Sequence, residues 1–212
     1  MNPRLSKWLL LADVALLPAL ILWFIWRLQF TTRWAWVIFV AWPTISFLLH
    51  RDTPKTLGWR ADNLWPATKE ALIVFGPTAA VLVAIGLCLG ARLESPPNLL
   101  SWHRFCTYAA FCLLQQVAVN SLLHNRMLSL LRNEWAAAVL TGTIFAACHW
   151  PNPVLVPLTF FGGTVMAWMF GRVRNIIPLA IGQALLGSLA FWTFPVQWHH
   201  HLRVGPSYYR PL

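Results

Sequence analysis

The chain has 212 residues, 58% of them apolar and only 10% charged, with 16 Lys and Arg against 6 Asp and Glu. Soluble domains carry about 25% charged residues, so a water-soluble globule is excluded, as are a disordered chain and a coiled coil. Uncharged stretches close to the about 17–25 residues that cross a bilayer recur instead, which describes a single integral membrane domain over residues 1–212.

In chain order, the uncharged runs predict helices near 8–26, 34–49, 70–91, 104–123, 135–150, 153–171 and 175–194. The fold class is therefore all-α, a polytopic bundle of about seven to eight transmembrane helices. No small-x-small cleavage site follows the first run, and Trp23, Trp26 and Arg27 close it, so it reads as a retained span. Asp13 lies near enough to its end to reach the interface. The connection 50–69, with Trp59 and Trp65, reads as a helix or turn lying in the interface plane. A second polar connection, 92–103, carries Pro96-Pro97.

The N-terminus and the connections 50–69, 124–134 and 172–174 hold ten of the 16 basic residues, which favours a cytoplasmic N-terminus. Lipid headgroups account for this charge, and no nucleic acid is expected as a partner. Of the 14 tryptophans, Trp8, Trp26, Trp34, Trp102, Trp135 and Trp150 fall at span ends, as aromatic belts require. Cys88, Cys106, Cys112 and Cys148 lack metal-type spacing and read as small apolar packing residues. The His199-His200-His201 tail reads as a solvated terminus. No metal site and no cofactor is expected.

Polar side chains inside the spans are the informative ones, because each is costly in hydrocarbon unless it finds a partner. Gln116, Asn120 and His124 are spaced by four and share one helical face, with Gln115 beside them. Thr141, Phe145 and His149 form a face of the fifth run, close to a Pro151-Asn152-Pro153 exit. Gln183 and Gly187 follow in the seventh. Taken singly, each such residue is most often a hydrogen bond between helices; together they describe groups able to line one buried cavity. In the sixth run, Phe160-Phe161-Gly162-Gly163 lets another backbone or a lipid come close.

The order and spacing of these residues resemble the CAAX-protease and bacteriocin-processing (CPBP, or Abi) intramembrane proteases, over about residues 104–192. That family carries Glu-Glu-x-x-x-Arg, then Phe-x-x-x-His, then His-x-x-x-Asn. Phe145-Ala-Ala-Cys-His149 matches the second element, and the Leu57-Gly58-Trp59 segment and the Arg172 to Asn175 turn match in character. The resemblance implies a CPBP-like bundle in a bacterial inner membrane, with a catalytic set at His149, Gln115, Gln116 and Gln183 and a cavity lined by Asn120, His124, Phe145 and Gly187. At those positions Gln115 and Gln116 replace the two glutamates, Asn120 the arginine, Gln183 the second histidine and Gly187 the asparagine.

A glutamine amide is too weak a base to take a proton from water near neutral pH, and no carboxylate in the stripe orients His149. Two readings follow. The favoured one is a non-hydrolytic member that binds a transmembrane helix, a prenyl or lipid chain, or a pigment-like amphiphile as a scaffold, assembly factor or subunit of a membrane complex. The alternative is a working peptidase using His149 with Gln115, Gln116 and Gln183. A small transporter ranks lowest, since no charged lining or inverted repeat is visible. His149, His124 and His103 are the candidates should a chlorin or haem be bound.

Overall fold

The computed structural model describes residues 3–91 and 102–211, and every long element among them is a helix. Helix α1, Pro3–Trp23, widens into a π-helical stretch, Phe24–Leu28, and a last turn, Gln29–Thr31. After a 3-10 turn, Ala35–Val37, α2 spans Ile38–His50 and α3 spans Leu64–Cys88. Helix α4 is continuous over Trp102–Leu131, with π-helical Val117–His124 at its centre. Then come α5, Glu134–Ala147, α6, Leu155–Val173, and α7, Ile176–Thr193. A short α8, Val196–His199, leads into two 3-10 turns, His200–Leu202 and Gly205–Tyr209.

The expected bundle of seven to eight helices is therefore observed. Lys7–Thr31, Leu64–Cys88, Trp102–Leu131 and Ile176–Thr193 are long and apolar enough to cross a membrane, while Ala35–His50 and Glu134–Ala147 are apolar but shorter. The chain is an integral membrane protein. Helix α6 has the length, at 19 residues, but its glycines, threonines and Arg172 lower its hydropathy, so the expected span there is weaker than the others. Part of the connection 92–103, Pro96-Pro97 included, lies outside the described residues.

The helices alternate in direction, and hydrogen bonds tie the connections at each end. At one end, Asn63 bonds the carbonyl of Val173, and Asn175 Nδ2 donates to the carbonyl of Arg60 at 2.7 Å. Asn125 Nδ2 donates to the carbonyl of Thr56 at 2.9 Å, and Arg174 Nη1 to Asn125 Oδ1 at 2.9 Å. The connection after α2 thus folds as turns against the ends of α4, α6 and α7. Gly58 is required there: its φ is +83°, and a Cβ would stand 2.6 Å from the Phe170 ring. Leu64–Cys88 then starts earlier than hydropathy suggested, because Lys69 and Glu70 in its first turns interrupt the uncharged run without ending the helix.

At the other end, buried Asn152 holds the last residues. Its Nδ2 donates to the carbonyls of His199 at 2.8 Å and Arg203 at 3.0 Å, and its Oδ1 accepts from the N–H groups of Val154 and Leu155. The His199–His201 segment is consequently not a solvated tail. His199 is 1% exposed and is packed on Phe191, with ring centroids 5.0 Å apart.

Three helix contacts set the core. Helix α5 lies along α6, where Gly142 and Gly163 let the backbones meet: a Cβ on Gly142 would come within 2.7 Å of the Phe160 carbonyl oxygen. Gly162, its neighbour, faces ordinary packing, so only one residue of the glycine pair performs the expected close approach. Helix α7 packs between α3 and α4, with Gly182 against Phe75 and Gly86 against Trp192. Of the four cysteines, Cys112 and Cys148 are buried packing residues as expected, whereas Cys88 and Cys106 are exposed.

Candidate functional site

The amide residues of α4 and α7 meet inside the bundle. Asn120 Nδ2 donates to Gln116 Oε1 one turn away on α4. Gln116 Nε2 donates to Gln183 Oε1 of α7 at 2.6 Å, and Gln183 Nε2 donates to Gln115 Oε1 at 2.6 Å. Gln116 Nε2 also lies 3.4 Å from Met166 Sδ of α6. Four amides therefore form one directed chain of hydrogen bonds. The sequence argument needs only the fourfold spacing on α4 to bring Gln116 and Asn120 together; the crossing of α7 over α4 supplies Gln183.

Gln116 is 2% exposed and Asn120 is fully buried, while Gln115 and Gln183 are half-buried. Asn120 Oδ1 has no partner. At the next turn of the same face, His124 Nδ1 stands 3.2 Å from Thr141 Oγ1 of α5. That hydroxyl already donates to the carbonyl of Ala137 at 2.7 Å, so it accepts from the imidazole. His124 is thus the Nδ1–H tautomer, and its bare Nε2 is buried without a partner beside Gly171.

His149 sits just past the end of α5. Its Nδ1 is 2.7 Å from the carbonyl of Phe145, and the two rings meet edge to face at 4.7 Å. A carbonyl accepts only, so Nδ1 carries the proton and Nε2 presents a lone pair. Among the described residues, no hydrogen bond links His149 to the amide chain. Phe145 is buried against Gly163. Gly187, four residues after Gln183, faces the hydroxyl of Tyr108: a Cβ there would be 2.2 Å from it. That hydroxyl bonds Cys112 in the α4–α7 contact. Tyr108 is the residue the sequence argument missed; only the packing of α4 on α7 reveals that it occupies the space a longer side chain at 187 would take.

Chemically the assembly can accept and donate hydrogen bonds but holds no carboxylate. Separately, a largely apolar groove of about 410 Å³ lies between α5 and α6, walled by Thr143, Ala146 and Ala147 of α5 and by Val156, Pro157, Phe160 and Phe161 of α6.

A chain that places Phe145 and His149 at the end of one helix, against a glycine-bearing partner, and joins polar positions of two others resembles the CAAX-endopeptidase-like membrane bundles over part of its length. Residues 97–189 match the family described as Rce1-like, type II CAAX prenyl endopeptidase Rce1-like. This stretch contains the amide chain, Phe145, His149, Gln183 and Gly187, and the match is consistent with the CPBP resemblance. No curated protein and no solved structure matches the chain.

Proposed function

We propose that this protein is a non-hydrolytic, CAAX-endopeptidase-like component of a bacterial inner membrane. It binds a prenyl or lipid chain or a transmembrane helix and acts as a scaffold, assembly factor or complex subunit. The observation that carries this reading is the chain from Asn120 through Gln116 and Gln183 to Gln115. Groups that would have to receive a proton from water and steady an oxyanion spend their hydrogen bonds on one another. An amide carbonyl is far too weak a general base to replace a carboxylate. Tyr108 against Gly187 supports the same conclusion, because it fills the place of the second oxyanion donor. The groove between α5 and α6 supports the binding half, being walled almost wholly by apolar side chains, among them Phe160 and Phe161.

The test is to reconstitute the purified protein in lipid nanodiscs and incubate it with a prenylated peptide ending in a CAAX sequence. The expected result is a complex by native mass spectrometry with the peptide intact after prolonged incubation. A cleaved product that disappears in a His149→Ala variant would overturn the proposal in favour of a peptidase.

A further inference from the structure

Away from the amide chain, the bundle buries a second polar assembly that joins its N-terminal helices to α4. Asp13 of α1 is 4% exposed and Arg126 of α4 is 3% exposed. Asp13 Oδ2 accepts from Ser46 Oγ of α2 at 2.6 Å and from Arg126 Nε at 3.0 Å, and it lies 3.2 Å from His50 Nε2 at the end of α2. Arg126 Nη2 donates to Ser46 Oγ at 3.0 Å and to Asp52 Oδ2 at 2.6 Å. Against the sequence expectation, Asp13 does not reach the interface, because Arg126 supplies its countercharge inside the protein.

The assembly is short of donors. Asp13 and Asp52 are two carboxylates against one guanidinium, and His50, which opens the connection after α2, does not make up the difference. Burial, and then the Arg126 guanidinium, hold its imidazole below the usual 6.5, so it is neutral near pH 7. A neutral imidazole brings one N–H to Asp13 and no charge. The three polar contacts of Asp13 all fall on Oδ2, and among the described residues none reaches Oδ1. An ionised carboxylate offers about four lone-pair sites on its two oxygens, and burying one oxygen without a donor is costly.

The space beside that carboxylate holds a second unmet group. A cavity of about 70 Å³ lies between α1 and α2, lined by Asp13, Ser46, His50 and Trp42, with Ala12 in its apolar wall. Trp42 Nε1 is buried and has no partner. An indole N–H can only donate and a carboxylate oxygen can only accept, and the two stand on different helices around one cavity. A molecule that accepts from the first and donates to the second satisfies both. A bare cation would answer the excess charge but would leave the Trp42 N–H facing it. Water answers both, and it needs roughly 10–15 Å³.

We propose that this cavity is a binding site for water, which bridges Trp42 Nε1 of α2 to Asp13 Oδ1 of α1 and solvates the excess negative charge of the Asp13–Arg126–Asp52 assembly. Water is then an integral ligand of the N-terminal helix pair, adding a bridged contact between α1 and α2 to the one that Ser46 makes directly. The amide chain and the groove between α5 and α6 take no part in it, so its test is independent of the proposed function.

The experiment is NMR of the full chain in detergent micelles, labelled with nitrogen-15 at tryptophan, with the Trp42 indole N–H assigned by its loss in Trp42→Phe. The expected result is a dipolar cross-peak between that proton and water, in the laboratory frame and in the rotating frame, with the signs of a long-lived contact. Ala12→Leu, which fills the cavity from its apolar wall and alters no charged residue, should abolish the cross-peak while the Trp42 signal remains. No water cross-peak in the parent, or one with the sign of chemical exchange alone, would overturn the proposal. So would a cross-peak that survives undiminished in Ala12→Leu. Should Ala12→Leu fail to fold, Ala12→Val makes the same comparison.

Discussion

Each of the four amides in the Gln115–Gln183 chain is held by the next, so the consequence of replacing one is set by what it leaves behind. Gln183→Leu leaves buried Gln116 Nε2 with only its weak contact to Met166 Sδ and takes the partner from half-buried Gln115 Oε1, and an unsatisfied buried polar group costs about 1–3 kcal/mol. Chemical denaturation of the single variant should show a loss of that order, whereas Gln116→Leu combined with Gln183→Leu should lose less than the sum of the two single changes. Additivity of the pair would mean that the contact contributes nothing. Gly187 responds to volume rather than polarity. Gly187→Ala places a methyl 2.2 Å from the Tyr108 hydroxyl and should lower stability by about 1–3 kcal/mol, the usual cost of overpacking. Tyr108→Phe in the same chain should restore most of it, measured by the recovery of Tm. Helical spacing made the Gln116–Asn120 pair legible in sequence, whereas the Tyr108 contact depends on side-chain volumes at a helix crossing and leaves no periodic trace.

The helix pair α5–α6 owes its closeness to two small residues on facing surfaces. Gly142→Ala would bring a methyl within 2.7 Å of a backbone oxygen that has no rotamer with which to move away. Gly162→Ala would meet only the Met166 methyl at 3.8 Å. The first should destabilise by about 1–3 kcal/mol and the second hardly at all; equal thermal shifts for the two would refute this placement of the helices. The sequence showed the glycines of α6 as a pair and gave no means of choosing between them. Helix α1 is fastened differently, through charge. Arg126→Met leaves buried Asp13 and half-buried Asp52 without their cation, and removal of one partner from such a group costs about 3–5 kcal/mol. The loss should appear as the melting of α1 and α2 ahead of the other helices, followed by hydrogen exchange. Asp13 was visible in the sequence as a charge in a span, but its partner lies 113 positions away, a separation that no local pattern can bridge.

At the scale of the whole molecule, the chain after α7 is a strap that returns over the α5–α6 connection. Besides the bonds to Asn152, the N–H of Gly205 donates to the carbonyl of Trp150 at 2.9 Å, and Arg210 lies 5.1 Å over the ring of Phe30 at the end of α1. Burial holds the His199 imidazole below its usual 6.5, and the neighbouring His201 and His200 push it the same way. The unfolded strap therefore binds a proton more readily than the folded one. Its stabilisation by neutral His199 is complete above about pH 6.5 and is lost as the pH falls toward the lowered folded value. Protease nicking within residues 196–211 should accelerate at pH 5.5 relative to pH 7.5, and His199→Asn should reduce that difference.

Composition, hydropathy and the spacing of polar residues by themselves determined the membrane location, the number and order of the helices, the family resemblance over the second half and the amide character of the polar stripe on α4. These are properties carried within single helices, where period and chemistry can be read along one stretch of chain. The tertiary structure alone decided that the amides bond one another, that Tyr108 closes over Gly187, that Asp13 is neutralised by Arg126 and that the histidine tail is folded back. Each of these depends on which helix faces which, and that choice is made by glycine contacts and by electrostatic pairing between residues far apart in the chain.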